Sequence, residues 1–247
     1  MVVATLTVAL AVGAVCQASS PTQTQPLVEL YTSQGCSSCP PADRWLSQLD
    51  PRATTGVVPL ALHVGYWDYI GWKDPYARRE FNARQEWLAG LNRNGTVYTP
   101  GVFLQAREMP RWSDPAAVEA ALRSVRSKPA RARIDLAVES AQAGTVRVNA
   151  RAALTSDGGA ADARLFVALT ESGFETKVKA GENRGATLHN DHVTRDWSGP
   201  LALGAHTVAL TASEAAGTQR AIVAFVQDLA SGEVLQAMRM PLAACTP

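Results

Sequence analysis

Charged side chains are scarce in this chain of 247 residues, where 23 Lys and Arg stand against 22 Asp and Glu, together 18% of the total. With a formal charge of +1 and no basic run, nucleic acid is excluded as an expected partner. No segment after residue 18 is apolar enough to cross a bilayer, and no Lys or Arg precedes the apolar opening. Nor does anything in the chain imply a nucleotide, flavin or haem, so no cofactor is expected. What remains is a chain 47% hydrophobic, which fits a globular protein with a proper core.

Residues 1–18 hold no charged side chain and are dominated by Val, Ala and Leu. They read as a secretory signal cleaved after Cys16-Gln17-Ala18, with 19–25 as a short linker. With only the terminal amine as positive charge, the sequence suits a start that lies inside a longer signal. A retained membrane anchor is the alternative, since 18 residues just suffice to span. Cleavage would leave Cys36, Cys39 and Cys245. Export to the periplasm or medium permits a disulfide and leaves one odd thiol.

Cys36-Ser37-Ser38-Cys39 follows the apolar run 27–31 and precedes Pro40-Pro41-Ala42. A strand enters the first cysteine and a helix leaves the second, the setting in which a CxxC pair exchanges electrons. Cys36 is then the outer nucleophile and Cys39 the resolving thiol. Pro40 and Pro41 lack N–H groups and fit only a first helical turn, which weakens the dipole's pull on Cys36.

Strand and helix signals alternate from residue 26 to about 129. Leu27–Thr32 and Val57–Val64 read as strands. Ala42, Trp45, Leu46 and Leu49 mark one helix, and Asp74-Pro75 opens another with Ala77, Phe81, Leu88 and Leu91 inward. Thr96–Leu104 reads as a strand, and Asp114-Pro115 caps a last helix. Val102–Leu104 looks interior despite Pro100, which a cis peptide at Thr99-Pro100 would reconcile. The Thr99 backbone would then lie opposite Cys36, ready to pair with a substrate strand.

Beyond Ser127-Lys128-Pro129 short strand-like runs follow one another, separated by Asp157-Gly158-Gly159 and Ser231-Gly232. They predict an α/β domain over 26–129 followed by an all-β, sandwich-like domain over 130–247. All five Tyr and five of six Trp fall in the first part. Tyr66, Trp67 and Tyr98 could line a groove for an apolar peptide, or simply fill a small core.

VELYTSQGCSSCPPAD resembles the opening of the thioredoxin superfamily's redox half, and Tyr98-Thr99-Pro100 resembles its cis-proline loop. More closely, residues 26 to about 240 resemble a bacterial family of secreted, thioredoxin-like proteins of unassigned function. The resemblance rests on YTSQGCSSCPPAD, HVGYWDYIGWKDP (63–75), VYTP (97–100) and GENRG (181–185). It implies a thioredoxin-like domain with a following β-domain, and it supplies no substrate. Gly65 stands where that family tends to have an acidic residue, and Gly101 where Gln is common. The superfamily likeness also implies a buried carboxylate on the strand before the pair, for which Glu29 is the candidate.

Three functions stay open. One is an exported thiol–disulfide oxidoreductase acting on envelope protein thiols and disulfides, with Cys36, Cys39, Thr99, Pro100 and Glu29 catalytic. Another is a redox-inert scaffold with a structural disulfide. The last handles Cu(I) or Zn²⁺ through Cys36, Cys39 and His63, where a hydrogen bond from His63 to the active-site loop is the simpler role. His189, Asp191 and His192 follow GENRG, which lacks a phosphate loop's setting. A polar loop docking the two parts through Glu182 or Arg184 fits better. Cys245 is either a mobile third redox centre or an unpaired surface thiol.

Overall fold

A computed structural model describes residues 16–49, 56–142, 144–155, 159–213 and 219–245. Most of the expected signal therefore lies outside the described residues. Its last three residues do not: they lie in β1 (Cys16–Ser19), which pairs antiparallel with residues 135–138. Among the described residues no helix is long and apolar enough to cross a membrane.

The chain continues as β2 (Leu27–Thr32), α1 (Pro40–Gln48), β3 (Val58–His63), α2 (Arg79–Leu91), β4 (Gly101–Leu104), β5 (Arg107–Glu108) and α3 (Pro115–Arg126). Strands alone follow: β6 (Ala132–Gln142), β7 (Thr145–Leu154), β8 (Ala163–Ser172), β9 (Phe174–Lys177), β10 (Thr187–Asn190), β11 (Val193–Leu201), β12 (Gly204–Thr211), β13 (Gln219–Asp228) and β14 (Val234–Pro241). A 3-10 turn, Leu242–Cys245, ends the described chain.

The expected architecture is overturned. An eight-stranded sheet runs in the order β14-β13-β8-β11-β3-β2-β4-β5, so strands from both sides of residue 130 hydrogen-bond in one layer. The seam is the parallel pairing of β11 with β3 at Val193 and Ala61, where Ala61 N–H donates to His192 O at 2.9 Å. The molecule is therefore not a thioredoxin-like α/β domain with a separate β-sandwich. Among the described residues it is mostly β, with three α-helices set on a long mixed sheet.

Alternation explains the layers. In β8, Leu165, Val167 and Leu169 face the four-stranded sheet β1-β6-β7-β12, while Phe166 and Ala168 join Phe81 and Leu88 of α2 on the other side. In β2, Val28 and Leu30 pack on Leu46 of α1 and Val118 and Leu122 of α3, whereas Leu27 and Tyr31 face the α2 layer. One face of the long sheet thus carries α2, and the other carries the small sheet beside α1 and α3. Strands buried on both faces lose the polar positions that mark a solvent side.

Local signals set the helix ends. Asp114 caps α3 as expected, its carboxylate accepting from the N–H groups of Ala116 (3.0 Å) and Ala117 (3.1 Å). Asp74 does not cap α2, which starts five residues later. Its side chain is drawn instead to His63 and to the N–H groups of Gln34 and Tyr76.

Candidate functional site

Cys36 and Cys39 are disulfide-bonded with Cα atoms 5.5 Å apart. Cys39 is the N-cap of α1, and Pro40 and Pro41 fill its first turn. Cys36 therefore lies three residues ahead of the cap, and the first helical amides that remain are those of Ala42 and Asp43, both donated to Cys39 O. Both cysteines are fully buried, while Ser37 and Ser38 between them are exposed.

The Thr99-Pro100 peptide is cis. Thr99 O lies 3.8 Å from Cys36 Sγ and 3.5 Å from the Ser38 hydroxyl. The aromatic residues gather on this loop. Trp67 Nε1 donates to Thr99 Oγ1 at 2.7 Å, and Tyr66 reaches Gln85, whose Nε2 donates to Tyr98 O at 2.7 Å. Burial pushes the Tyr66 and Tyr98 hydroxyls up to about 12. Gly101 makes room for the Gln85 bridge: a Cβ there would sit 2.9 Å from Gln85 Nε2 and 3.0 Å from Tyr98 O. The hollow beside Tyr98 holds only ≈ 10 Å³. A larger one, ≈ 790 Å³, lies on the outer face of the small sheet among Ser19, Arg133, Asp135, Arg151 and His206.

Glu29 lies on the opposite face of β2 from α1. It is fully buried and forms a fork with Arg84 of α2, at 2.6 and 2.9 Å, while accepting from Tyr31 at 3.0 Å. A buried carboxyl of α1 that sequence reasoning passed over is Asp43. It stands one helical turn after Cys39, and positions four apart share a helix face. Burial pushes its carboxyl up to about 6, with the His63 charge and the nearby Thr32 hydroxyl offsetting part of that cost. Four residues beyond a CxxC, on the inward face of the helix, was the available signal.

His63 is buried, with Nδ1 2.7 Å from Asp74 Oδ2 and its ring edge-on to Tyr76. Burial alone would lower its basicity, but the Asp74 carboxylate outweighs it and holds the imidazole above its ordinary value. Asp74 in turn is held low, since His63 and the Gln34 and Tyr76 amides overcome the effect of burial. Asp74 thereby ties His63 to the backbone of the cysteine loop at Gln34 N, 2.8 Å away. Cys36, Cys39 and His63 do not form a ligand cluster: among the described residues no group of three or more His, Cys, Asp or Glu is placed to hold a metal.

The GENRG segment reaches the pair from the turn between β9 and β10. Glu182 Oε2 accepts from Ser37 N (2.9 Å) and Ser37 Oγ (2.7 Å), and Asn183 Nδ2 donates to the carbonyls of Gln34 and Cys36, both at 2.9 Å. Of the histidines that follow, His189 is exposed beside Glu175, and His192 is buried where the chain enters β11. Cys16 is disulfide-bonded, and the side chain of Cys245 lies outside what is described.

A crystal structure of an Agrobacterium tumefaciens protein is similar at 25% identity, covering 90% of this chain and 96% of that one with a TM-score of 0.60. HBP35 of Porphyromonas gingivalis shares the fold at 14% identity, over 92% of this chain and 78% of that one, with a TM-score of 0.66. No curated protein matches the chain. Residues 27–227 match a single family throughout, so the cysteine pair, the cis-proline loop and the GENRG turn all lie within the matched region, and the chain belongs to DUF1223, a family described as a protein of unknown function.

Proposed function

We propose that the protein is an exported thiol–disulfide oxidoreductase working through Cys36 and Cys39 on protein thiols and disulfides of the cell envelope. One observation carries this reading: the Thr99 carbonyl stands 3.8 Å from Cys36 Sγ, where a backbone acceptor can hold an extended chain against the reacting sulfur. The resemblance of VELYTSQGCSSCPPAD to the thioredoxin redox motif supports the same chemistry, and the uncharged opening of the chain supports export.

In the reducing direction, the Cys36 thiolate attacks one sulfur of a substrate disulfide, forming a mixed disulfide and expelling a substrate thiolate that takes up a proton. Cys39, relieved of its proton, then attacks Cys36 Sγ and expels the second substrate thiolate. Two electrons pass to the substrate, and the Cys36–Cys39 bond re-forms. Run backwards, the same steps oxidise a dithiol. Asp43, buried one helical turn after Cys39 and with its carboxyl pushed up to about 6, is our candidate to take the Cys39 proton. His63 and Asp74 hold the loop from beneath.

The full burial of Cys36 favours a second reading, a structural disulfide on an inert scaffold. The two separate in Cys39→Ala, which has no resolving thiol. Exchange predicts that this variant, incubated with oxidised glutathione, gains one glutathione on Cys36 by mass spectrometry and keeps it. A variant that stays unmodified while folded would establish the inert disulfide instead.

A further inference from the structure

An exchange cysteine is governed by the hydrogen-bond donors that can serve its thiolate, and this loop has few to spare. Pro40 and Pro41 have no N–H, Cys39 N is turned to Cys36 O at 3.3 Å, and the amides of Ala42 and Asp43 are spent on Cys39 O. That leaves Ser37 N, Ser38 N and the Ser38 hydroxyl, which lies 3.3 Å from Cys36 Sγ. Glu182 takes the first of these and the Ser37 hydroxyl as well. It brings its own negative charge to the residue next to Cys36.

The turn is built to deliver that carboxylate. Val178 and Ala186 close its base, with Val178 N–H donating to Ala186 O and Gly185 N–H to Val178 O, both at 2.9 Å. Gly181 has φ +72°, which L side chains rarely adopt, and a Cβ there would come within 3.1 Å of Ile70 Cδ1, so glycine suits the turn's close approach to Ile70 and Trp72. Asn183 then fixes the backbone at Gln34 and Cys36. The other titratable groups around the loop, Asp43 from α1, His63 from β3 and Asp74 ahead of α2, are all buried. Glu182 comes from the exposed side, in the same turn as the exposed Arg184.

We propose that Glu182 is a positioning residue that disfavours the Cys36 thiolate, by withholding the Ser37 donors and adding a like charge beside the sulfur, and so holds the pair toward its disulfide. The inference rests on the exchange reading for its purpose, though not for its measurement. The equilibrium concerned is disulfide plus two glutathione thiols giving two protein thiols plus oxidised glutathione, a transfer of two electrons and two protons.

The test is Glu182→Gln in the full chain, which keeps the shape and removes the charge. The pH dependence of Cys36 alkylation in the reduced protein reads the thiol directly. It is expected to titrate about half a unit to one unit lower than in the wild type. At a pH above the Cys36 titration, where the thiolate is the reduced species, the glutathione equilibrium is expected to move about threefold to tenfold toward the reduced pair, or about 15–30 mV. Glu182→Asp restores the charge and moves the thiol back toward the wild-type value. High salt draws the wild type toward Glu182→Gln, since an exposed carboxylate is screened. An unchanged or higher Cys36 titration in Glu182→Gln, with the fold intact by circular dichroism, overturns the proposal. Alkylation needs no catalysis, so a shift here together with an unreactive Cys39→Ala would sink the exchange reading and leave the role of Glu182 standing.

Discussion

Arg84→Met is expected to cost about 3–5 kcal/mol of folding stability, because it strands a buried carboxylate. Arg84 is the hub between the two halves of the chain. Its guanidinium bonds Glu29 of β2 twice and Gln227 of β13 at 3.0 Å. It is enclosed by the rings of Trp87, Phe166, Trp197 and Phe225 at 5.1–5.6 Å. Without it, Glu29 keeps, among the described residues, the Tyr31 hydroxyl alone, and it is fully buried. Urea denaturation reads the loss, and the double variant Glu29→Gln/Arg84→Met should recover most of it, since no uncompensated charge then remains buried. A loss under about 1 kcal/mol for the single variant would mean that the pair does not join the halves.

Asp43→Asn should move stability and rate in opposite directions. The folded protein holds this carboxyl up to about 6, against an ordinary 3.8, so between those values it binds more protons than the unfolded chain. Stability therefore falls as pH rises through that window, and above it the full penalty stands. Removing the carboxyl is expected to stabilise the protein by about 1–3 kcal/mol at pH 8, a gain that vanishes below about pH 4. The second exchange step, attack by Cys39 on the mixed disulfide, should slow about 10–100-fold. Thermal melts across pH and stopped-flow decay of a pre-formed mixed disulfide separate the two effects. A stabilised variant with an unchanged second step would leave Asp43 a buried charge without a part in exchange.

Local features of this chain were readable where the cause is local. The strand Leu27–Thr32, the Asp114 cap and the CxxC ahead of a proline-started helix all follow from runs, caps and spacing. The division of the fold did not follow, because the strands after residue 130 are of two kinds. β7 alternates buried and exposed positions, as a one-sided sandwich strand should. Ala221–Val226 in β13 and Leu165–Leu169 in β8 are continuously apolar, which is the texture of Val57–Val64 and marks strands covered on both faces. Read by that difference, β8 and β13 belong with β3.

The site shows the same limit. Strand parity turns Glu29 toward Arg84 of α2, while Asp43 is buried in α1 one helical turn after Cys39. Glu182 bonds Ser37 of the cysteine loop, a partner set by a turn geometry that no spacing rule encodes.

The most direct test of the central claim is the reduction potential of the Cys36–Cys39 pair, read by equilibration with reduced and oxidised glutathione. Exchange chemistry predicts a value between roughly −120 and −270 mV, the span of working thiol–disulfide catalysts. A value well below roughly −300 mV would make the pair a structural disulfide and contradict the account.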